Sequence, residues 1–407
     1  MKRIISLIIS ALILVNAVFA GNFFANRFFE VKVDVPVGIS NNVFAAGDFL
    51  KKDLVIDLEK IADSIPAPGL TAIVATNPEV SVNFNIAAVS FGVNAGVDIY
   101  SKLNVSKDLF NFLFKGYHAG EELVVELADP VLDTYVYAEV PFALRLKKFS
   151  LNVTPGVFYP IAILDNCNIK ATASNNQNGD IHANLDADIN LYTSSFFAPM
   201  IDSSYAGPKT DINGLIKNLG FDLTANVTVP FTKTLSLSVD GRFPLVPAKL
   251  DANLNVKAKY DVSGNIMDLA GGGSVKQTPM ETTMTTSPLN DLYKVNRPLK
   301  LNAYFNYKPF GFLRFKAGGG FGIRRVGSEN PLAYPEYYAD CTVSLFEMLR
   351  ATLSTEYTDL LFKHQLEAVV NLRLVELDAG VSFQASNFLS SFKLAGLGAH
   401  VGVIIGF

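Results

Sequence analysis

From Gly396 to the C-terminal Phe407 the chain alternates residue by residue. Leu397, Ala399, Val401, Val403, Ile405 and Phe407 fall on one side, and Gly396, Gly398, His400, Gly402, Ile404 and Gly406 on the other. A period of two marks a strand whose faces meet different surroundings. The pattern recurs along the chain. Val31, Val33, Val35 and Val37 oppose Glu30, Lys32 and Asp34; Ile181, Ala183, Leu185, Ala187, Ile189 and Leu191 oppose His182, Asn184, Asp186, Asp188 and Asn190. Leu250, Ala252, Leu254, Val256, Ala258 and Tyr260 oppose Asp251, Asn253, Asn255, Lys257 and Lys259. Many of these runs approach the roughly 9–11 residues that a tilted strand needs to cross a bilayer. Strands of globular proteins are usually shorter, about 5–6 residues.

The pattern predicts strands near 28–38, 79–86, 89–100, 134–146, 149–160, 180–192, 220–230, 234–243, 249–262, 297–308, 312–324, 337–346, 349–358, 363–374, 375–385 and 394–407. These are about sixteen, within a range of 14–18. A closed antiparallel barrel with both termini at one end needs an even number, so Asn168–Ser174 is read as loop. Long connections at 39–78, 101–133, 161–179, 263–296, 325–336 and 386–393 then fall outside. Short turns at 87–88, 147–148, 244–248, 308–311, 347–348 and 374–376 fall inside, the asymmetry expected of such barrels. Two connections break the scheme: 193–219 becomes a long inner connection, and 231–233 a short outer turn.

Three stretches in long connections read as helices. They are Asp48–Ser64, Ser106–Lys115 with Ser106 as N-cap, and Asp211–Leu219 capped by Asp211. Residues 263–296, rich in Gly, Ser, Thr and Met, read as a mobile loop. At the N-terminus, Lys2 and Arg3, the apolar Ile4–Val15 and the small-residue site Val18-Phe19-Ala20 read as a secretory signal peptide over 1–20. Residues 21–407 then form a single barrel domain. No later run of about 18 apolar residues occurs, so no membrane-spanning helix is expected after it.

Apolar residues make up 49% of the 407, which suits a barrel whose outer face meets lipid. The net charge is −4; removing Lys2 and Arg3, the charged side chains of 1–20, makes it −6. That argues against non-specific nucleic-acid binding. Cys167 and Cys341 either pair in an oxidising envelope or remain as two separate thiols. No metal-type cysteine spacing occurs, and no cofactor or metal is expected. Tryptophan is absent, so an interfacial aromatic belt would use Tyr and Phe.

A bilayer core offers backbone groups no water, so a sheet can span it only as a closed barrel. The polar faces then line a lumen. The lumen-facing candidates are Arg314, Lys316 and Arg324 on one strand face, Lys257 and Lys259, Glu367 and Arg373, and Asp186 and Asp188. Both signs are present, so no single-ion selectivity follows. None of His118, His182, His364 and His400 stands in a nucleophile motif, and no enzymatic site is expected. His182 and His400 could meet Asp186 or Asp188 across the lumen. Gly318, Gly319, Gly320 and Gly322 lie in an alternating strand and leave room for a neighbour rather than cradling phosphate. The Gly396–Gly406 face could similarly admit an internal plug such as 48–64.

The C-terminal strand resembles the insertion signal of bacterial outer-membrane β-barrel proteins, which ends in an aromatic preceded by alternating apolar residues. Ala399, Val401, Val403, Ile405 and Phe407 carry the match. The resemblance implies the barrel-assembly machinery as a partner. More diffusely, the early hairpin at 79–100, the Ser106–Lys115 helix and Phe158-Tyr159-Pro160 are similar to a solute- or fatty-acid-transporter-like plan. The expectation is a monomeric all-β transmembrane antiparallel β-barrel in outer-membrane lipid, a porin-like channel or transporter for small or amphipathic solutes. The alternative is a surface binding or structural barrel, adhesin-like, with a closed lumen.

Overall fold

The computed structural model describes residues 27–407 except 44–57, 68, 116–119, 121, 128–129, 177, 204, 208–210, 266–275, 278, 329–330, 347, 359–360, 386–387 and 392–395. The 1–20 signal segment and residues 48–57 of the first expected helix lie outside the described residues. The strands are β1 (Phe29–Asn41), β2 (Leu70–Thr76), β3 (Glu79–Ile86), β4 (Val89–Val105), β5 (Glu122–Glu126), β6 (Val131–Glu139) and β7 (Phe142–Arg145). Next come β8 (Ser150–Asn175), β9 (Asp180–Thr193), β10 (Gly220–Pro230), β11 (Leu235–Val246), β12 (Ala248–Asn265), β13 (Lys276–Gln277) and β14 (Glu281–Val295). The chain closes with β15 (Leu299–Phe310), β16 (Leu313–Arg324), β17 (Leu332–Leu345), β18 (Leu349–Thr358), β19 (Leu361–Asn371), β20 (Val375–Ala385) and β21 (Gly396–Gly406).

The first and last strands pair over their whole length, from Glu30↔Gly406 to Ser40↔Gly396, which closes an antiparallel barrel of 14 strands. Two staves are each split by a proline. β2 and β3 are one stave: Asp34↔Glu79 and Val37↔Thr76 share a register across Asn77-Pro78. β6 and β7 are another, with Glu139↔Gly156 and Phe142↔Val153 in register across Val140-Pro141. Proline has no N–H to give the ladder. The carbonyls still serve: Pro78 accepts from Val97 N at 3.0 Å, and Pro141 from Gly92 N at 3.0 Å. The wall is therefore continuous there.

Sixteen becomes fourteen because the expected strands 180–192 and 249–262 are not staves. They are β9 and β12, and they pair with each other from Ala252↔Thr193 to Asn265↔Asp180. β8 runs 26 residues. Its first half lies in the wall between β6–β7 and β10; from Ala162 onward β9 takes the place of β10, and from Lys170 β5 takes the place of β6. The Asn168–Ser174 stretch read as loop is this extension. β11 passes through Pro247 into β12, which returns as β14, while β11 itself pairs with β15 in the wall. An outer sheet, β5–β8–β9–β12–β14, thus stands on one end of the barrel. The expected mobile loop at 263–296 is correspondingly in part the strand β14, whose threonines suit a pleated surface.

This also disposes of the two anomalous connections. Residues 231–234 turn at the same end as the termini, where Phe29 N donates to Phe407 O at 3.1 Å. The described residues of 194–219, and residues 244–248, lie at the opposite end. Among the described residues the helices are α1 (Leu58–Ser64), α2 (Lys107–Lys115), α3 (Ala198–Ile201), α4 (Ile212–Lys217) and α5 (Phe388–Ser391), all in connections at that opposite end. Asp211 caps α4 by accepting from Gly214 N at 2.8 Å. α1 and α2 are tied by Lys107 Nζ donating to Ile65 O at 2.7 Å and by a Lys115–Asp63 ion pair. That ion pair holds the Asp63 carboxyl below the usual carboxylate range.

The outward faces of the staves form an apolar belt. Val33, Val35, Phe305, Leu353, Leu366, Val401 and Ile405 are each exposed. This is the surface of a barrel immersed in lipid. The best-buried apolar cluster sits where the outer sheet leaves the wall: Tyr135, Tyr137, Phe158, Tyr159, Ile163, Ala248, Leu250 and Val295. It anchors the sheet to the barrel.

Candidate functional site

Inward positions on the staves are polar because outward ones are not, and parity fixes which is which. Among the described residues, two cavities stand out inside the ring. The larger, about 730 Å³, is lined by both signs of charge, including Asp34, Asp133, Arg242, Lys300, Arg324 and Glu367. The smaller, about 410 Å³, lies at the turn end among Arg27, Glu30, Arg314, Thr342 and Asn371. Arg350, Glu376 and Ile404 border both. At that neck Arg350 Nη2 reaches Glu376 Oε1 at 2.9 Å, and Arg27 Nη2 lies 3.6 Å from Glu376 Oε2. Arg27 also donates to Arg373 O at 2.6 Å and to Asn371 Oδ1 at 2.8 Å. Arg27, just ahead of β1, is thereby tied to the β19–β20 turn at the base of the lumen.

The expected lumen residues divide into two groups. Arg324 stands on the wall of the larger cavity, ion-paired to Asp133 at 3.2 Å, with its guanidinium 3.7 Å from the Tyr100 ring centroid. Lys316 lies over the rings of Tyr304 and Tyr338, at 4.0 and 4.8 Å. Arg314 donates to Thr342 Oγ1 at 3.1 Å in the smaller cavity. Glu367 lines the larger one and accepts from Gln365 at 3.3 Å. These four sit on staves. Arg373 does not: it lies in the 372–374 turn, with φ at 71°, because β19 ends at Asn371. Asp186, Asp188, Lys257 and Lys259 are on β9 and β12, hence in the outer sheet rather than the lumen wall. There Lys257 Nζ lies 3.4 Å from Asp188 Oδ2, and Asn255 donates to Asp188 Oδ1 at 2.7 Å.

The histidines follow the same division. His182 meets Asp261 at 3.6 Å in the outer sheet. His400 meets Asp34 and Asp378 in the lumen, not Asp186 or Asp188. The glycine face of β21 admits side chains of neighbouring strands; residues 48–57 of the expected plug lie outside the described residues. A Cβ at Gly398 would strike Ser382, one at Gly402 would strike Asp378, and one at Gly396 would strike Ser40. Glycines of β16 serve alike: a Cβ at Gly320 would strike Asn302, and one at Gly322 the Tyr334 ring. Cys167 and Cys341 are both free; they lie on β8's outer extension and on β17. Burial raises the Cys167 thiol above its usual value. In the outer sheet, burial and the adjacent Asp165 carboxylate raise the Tyr293 hydroxyl well above its usual value.

Several functional candidates carried no signal in the sequence. Arg27, Arg350 and Glu376 belong to separate segments, and nothing in their local spacing links them. Each is simply a charged residue, and a partner many residues away is not a local property.

The fold and its interior together define a lipid-facing, fourteen-stranded barrel with a charged, chambered lumen. No protein-family model matches the chain, and no curated protein does. Among solved structures it is similar to a TodX deltaS2S3 mutant monoaromatic hydrocarbon channel, at 10% identity and a TM-score of 0.49, covering 95% of this chain and 92% of that one. It is also similar to the Ralstonia pickettii toluene transporter TbuX, at 8% identity and a TM-score of 0.41, covering 95% and 91%. A Pseudomonas aeruginosa FadL homologue matches at 10% identity and a TM-score of 0.37, covering 93% and 90%. At these values the likeness decides neither fold nor function, which rest on the strand pairing and the lumen.

Proposed function

We propose that the protein is an outer-membrane channel or transporter that passes small or amphipathic solutes through two chambers in series. The observation that carries this reading is the shared border of the two cavities at Arg350, Glu376 and Ile404 inside a closed wall. A barrel of this size has a lumen wider than its own side chains fill. Its charged neck would then set the passage rate and the charge preference. The barrel-assembly machinery would insert the chain by way of Ala399, Val401, Val403, Ile405 and Phe407, and the folded unit would act as a monomer.

Planar-bilayer conductance tests the reading. Wild-type protein should show discrete conductance. Glu376→Gln keeps the neck's size and removes its carboxylate charge, so Arg27 and Arg350 should shift permeability several-fold toward anions. Absence of conductance in well-folded protein, or unchanged selectivity in the variant, would sink it. The outer sheet and the α1–α2 pair at the loop end favour a second reading, a surface-binding barrel with a closed lumen. That reading predicts no conductance, and loss of binding when the outer sheet is removed.

A further inference from the structure

Asp34 of β1 and Asp378 of β20 flank the same residue of β21. Asp34↔Gly402 and Asp378↔Gly402 are both register pairs, so the two carboxylates lean toward each other over a glycine. The glycine leaves room for them, since a Cβ there would fall on the carboxylate atoms of Asp378. His400, two residues along the same face, points its Nε2 into the gap. It lies 2.5 Å from Asp34 Oδ1 and 3.1 Å from Asp378 Oδ1. One ring nitrogen carries at most one hydrogen. It is within hydrogen-bonding geometry of Asp34, and Asp378 Oδ1 accepts no hydrogen bond among the described residues. Asp378 is only 9% exposed, so this is a buried carboxylate oxygen aimed at an imidazole nitrogen that serves another partner. Buried carboxylate oxygens in that condition are costly.

The remaining charge nearby is consistent with a ligand between them. Lys32 Nζ takes the far oxygen of Asp34, Oδ2, at 3.0 Å and leaves Oδ1 facing the gap. The three donor atoms all lie within 4.8 Å of one another, and all three residues line the larger cavity. Two carboxylate oxygens and one imidazole nitrogen, with a side open to a wet chamber, form a donor set suited to divalent transition-metal ions.

We propose that Asp34, Asp378 and His400 form a divalent metal-ion site of the zinc or cobalt class at the seam of the barrel. The ligands come from the first strand and the last two. The site therefore exists only when the chain ends have met, and a bound ion staples the closure. His400 Nδ1 is buried with no partner among the described residues. It lacks the acceptor that usually steadies a metal-bound imidazole, so the ion should be held more loosely than in a fully supported site.

The test is a Co²⁺ titration of the folded full-length mature protein in detergent, read by visible d–d absorption and by metal content after gel filtration. The expected result is one Co²⁺ per chain, bleached by Zn²⁺. Asp378→Asn and His400→Gln each remove a direct ligand and should weaken binding by more than the roughly 10–100-fold that loss of a supporting partner costs, while the protein keeps its heat-modifiable gel shift. His182→Ala, in the outer sheet, should bind as wild type. No d–d absorption in the wild type, or the same affinity in Asp378→Asn and His400→Gln, would overturn the proposal. Should Asp378→Asn not fold, the wild type and His400→Gln still decide it. The readout is metal, not conductance, so it stands apart from the transport reading.

Discussion

Arg297 has 1% of its side chain exposed, yet it carries a full charge. Its Nη1 donates to Glu139 Oε1 at 2.8 Å and to Asp222 Oδ2 at 3.1 Å, and its guanidinium lies 4.6 Å from the Tyr137 ring centroid. Asp222 is itself fully buried. The arginine therefore neutralises a fully buried acid, Asp222, and a mostly buried one, Glu139, at the point where β14 turns into β15. Removing it takes away the cation hydrogen-bonded to the fully buried Asp222, and breaking a buried pair in this way costs about 3–5 kcal/mol. Arg297→Ala should lower the urea midpoint of the heat-modifiable form by a corresponding amount, while Arg297→Met combined with Glu139→Gln and Asp222→Asn should recover most of it. A single-variant cost under about 1 kcal/mol, the range of a solvated surface pair, would contradict this account. Nothing local in Asn296-Arg297-Pro298 announces such a role. Its partners stand 158 and 75 residues away in sequence, as the partners of His400 stand far from it. Polarity and parity are legible residue by residue; pairing across a ring is not.

At the scale of elements, the alternating pattern is a statement about two faces and says nothing about what covers them. β9 and β12 alternate as cleanly as β1 or β21, yet they stand outside the ring. In the wall, the apolar face meets lipid and the polar face a wet chamber. In the outer sheet, the polar face carries the Asn190, Asn253, Asn255 and Lys257 ladder, and part of the apolar face, such as Ala252 and Leu254, is buried. One signal pointed to the region: the rule-breaking connections at 193–219 and 231–233 fit a misassigned strand near 160–220, which is β9. The even count did not help, since sixteen is even, and it made a loop of Asn168–Ser174, which is strand. β8 hides the boundary because it passes from wall to outer sheet without ending. If the outer sheet is an appendage, replacing residues 253–287 with a short turn should leave the β11–β15 pairing and the heat-modifiable shift intact. Limited proteolysis should then find β9 newly cleavable, since it has lost β12. Loss of the gel shift would mean instead that the outer sheet is needed to close the barrel.

The whole molecule is decided by which side of the wall faces lipid. Val401 sits midway along β21, opposite Val35 on β1, and 56% of it is exposed. His400, its neighbour, is turned inward against Asp34 and Asp378. A one-residue change of register would exchange these two environments for every strand in the ring, so the pair is a direct test of orientation. In a bilayer, an arginine at the midplane of the outer face costs about 2–4 kcal/mol, and less near either interface. Val401→Arg should therefore destabilise the barrel in lipid vesicles by that order, Val33→Arg, nearer the turn end, by less, and His400→Asn hardly at all through lipid contact. The same Val401→Arg change in an aqueous, water-facing sheet would cost little, because the guanidinium would remain solvated. Measuring the folding free energy in vesicles of increasing thickness separates the cases. A lipid-facing belt predicts a penalty that changes with the depth of each position relative to the bilayer. A water-facing surface predicts none. The depth dependence is the stronger criterion, because general damage to strand packing would not follow bilayer thickness, whereas transfer of a charge into hydrocarbon must.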